Sequence, residues 1–574
     1  MLNYNLIIMR KMNCILISIL LLLGSGGCDS KDEETSGKRP RPENVVYSEV
    51  ITPPSITPID ESGYKTYYVD SKTGSDTNNG LTPESAFQTL DKVSAMSKES
   101  ATKVLFKSGE VFKGSLTLKD LKGTPAKPFI IDIYGGSERA RFEGAGGEQV
   151  VLIQDGNIRF RNIFITNKTG KRGMYIRAIE AGAIKNIEVT GCRFEEINWA
   201  GDADFVGVSP TNLDVRAICS DGNYNKAFGG VVIETVAKEA GPGWYEDMFI
   251  TNNEFYQVCR TGIMFINRWG SRTGVGEGYN EYIDDEHNWY PNTNVVVQGN
   301  KLHYIGGDGI VLGGADNSFL DHNVCYYANF LGRTGQASVG IWPYSSRNVV
   351  VQYNESAYTQ WCNGSSDGEG LDVDIACKNT IVQYNYVHHN VGGGILLCNN
   401  ETENHEGTIV RNNIFLFNGG AQKGSLTSIS TNVGRTEIYN NIVVTDNKNK
   451  RVLFSDDWGK KGNSHDITFR NNIFMSTTPT IGIFDDSYID NCVFLNNLYY
   501  NLGNFQANGM DAAALLYNPG ITVPSDMDGY DKGASCRPTE PKVFLEGLLF
   551  DGMLNTDFAG NSAIGIGYMG AFAE

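Results

Sequence analysis

A short strand-like motif recurs along the middle of this 574-residue chain and ends each time on an asparagine. Each copy alternates apolar and polar positions, as in Val349-Val-Val-Gln-Tyr-Asn354. The terminal residues of the copies are Asn253, Asn300, Asn323, Asn354, Asn385, Asn413, Asn441, Asn472 and Asn497. From Asn300 onward they follow one another at intervals of 23 to 31 residues, and no 3.6-residue apolar stripe accompanies them. Such intervals predict a solenoid in which each turn contains several short strands.

A second repeated element indicates the same architecture. A glycine and a large apolar residue follow most of the asparagines and begin the next strand: Gly262-Ile263, Gly309-Ile310, Gly340-Ile341, Gly370-Leu371 and Gly394-Ile395. Asparagine suits a fixed bend because it tolerates left-handed backbone angles and its amide can bond the asparagines of the turns above and below. We therefore predict an all-β protein, a right-handed parallel β-helix over residues 63–574, with loop insertions near residues 201–247 and 267–293.

The first 28 residues have the features of an export signal. A basic start is followed by an apolar run, small residues and Cys28, and the run is too short to remain as a membrane span. The segment resembles a bacterial lipobox, with Ser25 where leucine is usual, and the acidic stretch after it resembles the surface-export signal of Bacteroidota lipoproteins. This resemblance implies lipidation of Cys28, an outer-membrane anchor at the cell surface, and a flexible acidic tether over residues 29–62. An ordinary cleaved signal with an incidental cysteine is the alternative.

Charge and cysteine usage narrow the range of partners. The net charge of −18 argues against a nucleic-acid partner, because binding a phosphate backbone requires a basic face. Nine of the 11 cysteines follow Cys28, and none forms a CxxC pair or another spacing typical of metal ligands. We expect most of them to fill small apolar positions inside the turns. One or two disulfides remain open, without an assignment.

The repeats resemble those of the pectate-lyase-like β-helix superfamily, which contains polysaccharide lyases, glycoside hydrolases and epimerases. The resemblance covers about residues 65–574. Residues 67–90 are similar to the opening strand and N-terminal capping helix of many members, and residues 561–572 are similar to the closing segment. Membership implies a carbohydrate-active protein whose partner is a polysaccharide or oligosaccharide, but a fold does not specify a reaction.

Strand alternation identifies candidate chemistry on the outer surface, since the interior of a β-helix is packed. If the apolar residue after each glycine points inward, the residues one and three positions later point outward. In two neighbouring turns these outward residues are Trp342 and Tyr344, then Asp372 and Asp374. Aromatic rings stack on sugar rings, and paired carboxylates can supply a general acid and a base. We predict Asp372 and Asp374 as catalytic and Trp342 and Tyr344 as sugar-binding; a solvated face or a calcium site is the alternative.

The spacing of the aspartates favours one stereochemical course. Residues two apart on a strand are separated by about 6.5–7 Å, at the short end of the ~6.5–9.5 Å gap of inverting glycosidases. Repulsion between Asp372 and Asp374 should raise the pKa of one of them towards that of a general acid. Glu369 and Asp308 precede their strands near the same column and are further catalytic candidates, although each alone suits a turn.

Two other segments supply candidate binding residues. The insertion at residues 267–293 mixes aromatic and charged residues, which suits one wall of a sugar-binding cleft, and its Asn267, Arg268 and Trp269 are candidate ligands. His389 follows a strand one turn edge from the aspartates and could contact substrate or carry a proton; a role in the bend is the alternative. Either of the two insertions, near residues 201–247 or at residues 267–293, could instead cover a sheet edge.

Three functions are consistent with these observations. The leading hypothesis is an inverting glycoside hydrolase that acts on a complex polysaccharide or glycan and needs no cofactor. The second is a polysaccharide lyase or epimerase that acts on a uronate polymer and uses calcium; the absence of lysine and arginine from the column counts against it. The third is a non-catalytic glycan-binding surface protein, whose binding would not depend on Asp372 or Asp374.

Overall fold

Three parallel β-sheets wind around a common core. The computed structural model describes residues 49–199, 225–273, 278–332, 337–361, 367–400, 404–419 and 423–574. In these ranges the sheets contain 15, 13 and 12 strands, and each strand pairs with its counterpart in the next turn. The predicted all-β parallel β-helix is confirmed. The export signal, Cys28 and the tether up to residue 48 lie outside the described residues.

The strands of the described ranges are numbered β1 to β40 in chain order. The first sheet contains β1 (Lys65–Val69), β2 (Thr102–Lys107), β5 (Phe129–Tyr134), β8 (Ile158–Arg161), β11 (Gly182–Thr190), β14 (Gly243–Thr251), β17 (Asn292–Gln298), β20 (Ala315–Asp321), β23 (Arg347–Gln352), β26 (Ile381–Gln383), β29 (His405–Glu406), β30 (Ile409–Arg411), β33 (Val433–Tyr439), β36 (Ser464–Arg470) and β39 (Ile489–Leu495). The second contains β3 (Val111–Lys113), β6 (Ala140–Glu143), β9 (Ile163–Asn167), β12 (Arg193–Ile197), β15 (Glu254–Val258), β18 (Lys301–Ile305), β21 (Val324–Tyr326), β24 (Glu355–Ala357), β27 (Tyr386–His388), β31 (Ile414–Leu416), β34 (Ile442–Thr445), β37 (Ile473–Ser476) and β40 (Leu498–Tyr500). The third contains β4 (Leu116–Leu118), β7 (Gln149–Ile153), β10 (Arg172–Arg177), β13 (Gly229–Glu234), β16 (Thr261–Ile266), β19 (Ile310–Gly313), β22 (Ile341–Tyr344), β25 (Glu369–Val373), β28 (Gly393–Cys398), β32 (Thr427–Ser430), β35 (Arg451–Asp456) and β38 (Ile483–Phe484).

Helical segments are short. One α-helix, α1 (Leu90–Ala95), is present in the described ranges and buries Leu90 and Val93 against the first turns, which confirms the predicted N-terminal capping helix. Short 3-10 helices lie at Pro83–Ser85, Lys238–Ala240, Tyr530–Cys536 and Pro541–Phe544. None of these helical segments has the length and apolar character required to cross a membrane.

The repeated asparagines form a continuous hydrogen-bonded ladder at the bend between the first and second sheets. From Asn253 to Asn497, the side-chain Nδ2 of each donates to the Oδ1 of the next at 2.9–3.0 Å. Asp511 accepts the last of these bonds at 3.0 Å and ends the ladder. The expectation that these asparagines adopt left-handed angles is wrong, because the residue before each one does so, as Tyr353 and Tyr384 show.

Two predicted boundaries also change. Residues 49–62 are not a free tether, because Ile51 and Ile56 pack on an apolar column of the first sheet and Glu61 pairs with Lys103 and Arg161. The predicted insertion near 201–247 contains the regular strand β13 and the start of β14. No terminal asparagine marks that turn, so the asparagine repeat alone does not reveal these strands.

Candidate active site

The predicted column lies on the outer face of the third sheet. Ile341 of β22 pairs with Leu371 of β25, which pairs with Ile395 of β28, and all three side chains lie in the core. Trp342 and Asp372, one position later, therefore face outward, as the alternation predicts. The core register thus fixes which side chains can reach a glycan on this face.

Four carboxylates meet beside Trp342. We refer to Asp367, Glu369, Asp372 and Asp374 as the carboxylate cluster. Glu369 is fully buried and Asp372 is 3% exposed, whereas Asp367 and Asp374 are each partly exposed. Strand β25 ends at Val373, so Asp374 lies where the chain leaves the sheet. Of the four, Asp367 and Asp374 are therefore the residues that present surface to a substrate.

Burial raises the pKa of every member of the carboxylate cluster. Burial and the charge of Glu369 raise the pKa of Asp367 to about 7, and burial also raises the pKa of Glu369. The pKa of Asp372 lies well above its ordinary value because the side chain is buried beside three other carboxylates. Burial also raises the pKa of Asp374, but two hydrogen bonds oppose this rise because they stabilise the charged form. Raised carboxyl pKa values of this kind are typical of sites that need a general acid near neutral pH.

The four carboxylates differ in their hydrogen-bond partners. Asp374 Oδ1 accepts a bond from the Ile375 amide at 2.6 Å and one from the Cys398 thiol at 2.9 Å. Glu369 Oε1 lies 3.6 Å from Lys423 Nζ. Asp372 Oδ1 is buried without a hydrogen-bond partner in the described part of the chain. Three of the four thus differ: Asp374 accepts two hydrogen bonds, Glu369 lies beside a lysine, and Asp372 Oδ1 has no donor.

Two lysines that the sequence pattern does not predict approach the cluster. Lys423 precedes β32, and although burial opposes its charge, Glu369 and Asp367 raise its pKa. Lys226 precedes β13, and its Nζ lies 5.0 Å from the centre of the Trp342 ring. Its positive charge opposes the raised pKa of Asp367, Asp372 and Asp374. Neither lysine belongs to the outward column, so strand alternation gives no signal for them.

Asp308 has the surroundings of a positioning residue. It is fully buried, and its Oδ2 pairs with Arg260 Nη1 at 2.5 Å. Its Oδ1 accepts bonds from the Val339 amide and the Trp342 indole, both at 3.1 Å. Although burial opposes the charge of Asp308, Arg260 and Lys226 hold its pKa below the ordinary value. A buried, ionised and fully bonded carboxylate cannot reach a glycan, so the catalytic role suggested for Asp308 is corrected to anchoring Trp342.

The predicted aromatic pair is present but largely covered. Trp342 is 5% exposed, and its ring centre lies 6.3 Å from that of the partly buried Tyr344 at an interplanar angle of 80°. Val311 and Val339 pack against the indole. The edge of the aromatic pair, together with Lys226, is therefore what faces outward beside the carboxylates.

The loop that joins β16 to β17 contributes less than the sequence suggested. Asn267 donates to the backbone oxygens of Tyr290 and Gly314 and accepts from two amides of its own turn, so its side chain is fully used. Trp269 is 8% exposed and belongs to the core cluster. Both predicted binding residues are thus corrected to structural roles, because Asn267 bonds the backbone around it and Trp269 packs into the core. Arg268 remains partly exposed, and its Nε lies 3.5 Å from Glu234.

His389 lies away from the carboxylate cluster. It follows β27 with a φ of 54°, and its ring stacks on Tyr358 at 5.5 Å with an interplanar angle of 22°. Tyr358 stacks in turn on Tyr327, so the ring belongs to a ladder of aromatic residues that follow the strands of the second sheet. The structure thus places His389 in a bend, the alternative role given above.

The donors at the site do not suit calcium. Asp372, Asp374 and Cys398 offer one oxygen, one oxygen and one sulfur atom that lie within 4.8 Å of one another. Calcium takes six to eight oxygen ligands, and a thiol is not among the ligands it prefers. The three side chains therefore fit proton chemistry better than the calcium site that a lyase would use.

Comparisons with known proteins agree with this architecture. The family model described as a right handed beta helix region matches residues 230–443. A lacto-N-biosidase of Bifidobacterium longum subsp. longum is 25% identical over 92% of this chain and 37% of its own length. The chain thus spans little more than a third of the length of that relative.

Solved structures extend the comparison to three dimensions. Two crystal structures of a GH136 lacto-N-biosidase from Eubacterium ramulus are each 20% identical to the chain. The selenomethionine derivative matches 71% of this chain and 68% of its own with a TM-score of 0.53, and the native protein matches 68% and 65% with a TM-score of 0.52. At this identity the likeness establishes the fold alone, and the chain is a right-handed parallel β-helix.

Proposed function

We propose that the protein is a glycoside hydrolase that cleaves a glycan at the carboxylate cluster. One observation carries the proposal: Asp367 and Asp374, two partly exposed carboxylates with raised pKa values, interact electrostatically in a cluster beside the aromatic pair Trp342 and Tyr344. Hydrolysis of a glycosidic bond requires a carboxylic acid that protonates the leaving oxygen and a carboxylate that assists attack at the anomeric carbon. The similarity to a lacto-N-biosidase over 92% of the chain supports the same reaction class.

Exposure distinguishes the residues that act on substrate from those that support them. Asp367 and Asp374 can touch a sugar, whereas Asp372 is 3% exposed and Glu369 is fully buried. We therefore assign the acid and its partner carboxylate to Asp367 and Asp374. Asp372, one of the two aspartates predicted from the sequence, lies beneath them, where burial and the charges of its carboxylate neighbours raise its pKa and favour its protonated form.

The stereochemical course is open to a direct test. The prediction of inversion rested on a gap of about 6.5–7 Å between Asp372 and Asp374, but their nearest ligand oxygens lie within 4.8 Å. With catalysis assigned to Asp367 and Asp374, that gap no longer decides the course, and inversion stays a prediction: an inverting enzyme leaves ~6.5–9.5 Å between its carboxylates for a water molecule, whereas a retaining enzyme has ~5–5.5 Å. Proton NMR of the first product anomer separates the two courses.

The substrate is proposed from chemistry and from the relative together. An acidic cluster disfavours a polyanionic glycan at this face, since like charges would meet there. We propose a neutral oligosaccharide, and a glycoside of lacto-N-biose is the first to test because the similar proteins are lacto-N-biosidases. No metal or other cofactor has a role in this scheme.

A polysaccharide lyase is the second candidate, and one observation favours it. Lys226 brings a positive charge to the cluster from outside the outward column of strand residues, which contains no lysine or arginine. Lyases use such a group to neutralise a uronate or to remove its C5 proton. The buried Asp372 and Glu369 nevertheless disfavour a charged uronate at this position.

One panel separates hydrolase, lyase and binding protein. The purified protein is incubated with neutral oligosaccharides, lacto-N-biosides and uronate polymers, with and without EDTA, and both reducing ends and unsaturated-uronate absorbance are recorded. We expect reducing ends without that absorbance, insensitivity to EDTA, and loss of activity in Asp367→Asn and Asp374→Asn but not in the distant Asp316→Asn. Unsaturated products would establish the lyase, and binding without any product would establish the third hypothesis.

We further infer that the protein is exported and held at the outer-membrane surface by lipid on Cys28. The basic and apolar start, the lipobox-like residues and the acidic stretch after them support this location. A disulfide at Cys259 also fits an oxidising compartment. The lipid would be the protein's contact with the membrane, and the glycan its external partner.

A further inference from the structure

Cys398 occupies a position in the site that glycoside hydrolysis does not by itself explain. It ends β28 on the outer face, one turn after Asp374, and is 2% exposed. Its Sγ lies 2.9 Å from Asp374 Oδ1, within hydrogen-bond distance for a sulfur donor. Among the other buried cysteines, Cys192, Cys325 and Cys377 bond only to backbone oxygens. Cys398 therefore differs from these three cysteines, because its thiol bonds a carboxylate.

The thiol at this position is a donor. Burial and the charges of Asp374 and Asp372 raise the pKa of Cys398 well above its ordinary value, so the sulfur keeps its proton at neutral pH. A thiol that keeps its proton can donate only to an acceptor, and an ionised carboxylate is a stronger acceptor than a protonated one. The contact therefore favours the charged form of Asp374.

The neighbouring carboxyl group lacks such support. The buried Oδ1 of Asp372 has no hydrogen-bond donor in the described part of the chain, whereas the Asp374 carboxylate receives one bond from the Ile375 amide and one from the Cys398 thiol. Two carboxylates this close do not both ionise easily, because each charge opposes the other. The donors decide which of the two carries the charge.

We propose that Cys398 is a positioning residue whose thiol fixes the negative charge of the cluster on Asp374 and leaves Asp372 protonated. This role rests on the proposed function. Cys398 thereby acts through Asp374 and does not touch the glycan. The charged groups that face this pair are Asp367, Glu369, Asp308, Lys226 and, next to Glu369, Lys423. Among the described residues, the donors to the Asp374 side chain are the Ile375 amide and the Cys398 thiol, so none of these charged groups takes the place of the thiol.

Three variants test the role in catalysis. Cys398→Ala removes the donor, so the ionised Asp374 is less stable, and we expect the acidic limb of the kcat/KM profile to move up by about one pH unit. Below that limb the rate falls about tenfold, with KM unchanged. Cys398→Ser keeps a donor and should restore the wild-type limb, and Cys192→Ala, a buried cysteine far from the site, should leave the profile unchanged. Equal profiles for Cys398→Ala and wild type would overturn the proposal, as would equal impairment of the Ala and Ser variants.

A second measurement does not depend on hydrolysis or on the folding of Cys398→Ala. The infrared S–H stretching band of Cys398 is isolated as the difference between the wild-type protein and Cys398→Ser. We expect the band to move to lower frequency as the cluster ionises, and to stay fixed across pH in Asp374→Asn. A band that never responds to pH in the wild-type protein would exclude the bond, even if the glycoside hydrolase activity is established. A responding band in a protein that cleaves no glycan would place the failure in the proposed function alone.

Discussion

Asp308→Ala tests the assignment of this residue to structure instead of catalysis. The substitution removes the acceptor of three donors: Arg260 Nη1 at 2.5 Å, and the Val339 amide and Trp342 indole at 3.1 Å each. Both members of the ion pair are fully buried. Removal of one partner from a buried pair costs about 3–5 kcal/mol, because the other charge loses its compensation in a medium that solvates it poorly. We expect the free energy of unfolding to fall by that amount.

Urea denaturation followed by circular dichroism measures the loss. Glu99→Ala is the matched control, because its ion pair with Lys122 is exposed and should leave the midpoint unchanged. Asp308→Asn keeps an acceptor for the Trp342 indole and should retain most of the kcat of the folded protein. A fully stable Asp308→Asn protein with a kcat about a thousandfold lower would refute the reasoning and restore a catalytic role.

Three further predictions concern the cluster, the ladder and the anchor. Because burial raises the pKa of Asp367 to about 7 from its ordinary value of 3.8, protonation stabilises the folded state. The stability of the wild-type protein should therefore fall relative to Asp367→Asn as the pH rises from about 4 to about 7, which thermal melts across pH can measure. Asn385→Ala removes a fully buried amide that bonds Asn354, Asn413 and Val351, and should cost about 3 kcal/mol in denaturant unfolding, whereas the exposed Asn508→Ala should cost nothing measurable. Cys28→Ala should abolish incorporation of labelled palmitate and release the protein from the membrane fraction, and equal labelling of both proteins would contradict the lipid anchor.

The fold was predictable because two sequence markers recur in the turns of the solenoid. The terminal asparagines mark one bend of each turn, and the pattern of glycine and apolar residue marks the start of a strand in the third sheet. Together they fix the inward side, and the outward positions of Trp342 and Asp372 follow from alternation. Strand β13 carries the second marker, Gly230 followed by Val231 in register with Gly262 and Ile263. No terminal asparagine precedes it, so the asparagine repeat alone does not reveal it, although Val231 and Ile233 fill the core like their counterparts.

The site was predictable only where its residues belong to the strands. Asp372 and Asp374 lie on or next to β25, so strand alternation located them, but exposure depends on what covers each side chain. Lys226 and Lys423 reach the cluster from segments before β13 and β32, and no local pattern records a contact between distant turns. Asp367 was visible in the same acidic stretch, but its accessibility and its pKa depend on the folded surroundings.

The binding roles predicted for the loop residues were wrong for a different reason. Trp269 and Asn267 lie in a long insertion with mixed aromatic and charged residues, a composition shared by substrate-binding loops and by loops that cover a sheet edge. The outcome depends on whether the aromatic side chain finds an apolar surface on the solenoid. Trp269 does, since its indole also donates to the Val236 oxygen at 3.3 Å.

The central claim, hydrolysis at the carboxylate cluster, is tested most directly by incorporation of solvent oxygen. The protein is incubated with a lacto-N-bioside in water enriched in oxygen-18, and the products are weighed by mass spectrometry after brief reaction. Hydrolysis adds the elements of one water molecule, so we predict one heavy oxygen in the newly formed reducing sugar, and none with Asp374→Asn. Cleaved products without heavy oxygen, as an elimination would give, or full activity in Asp374→Asn would contradict the account.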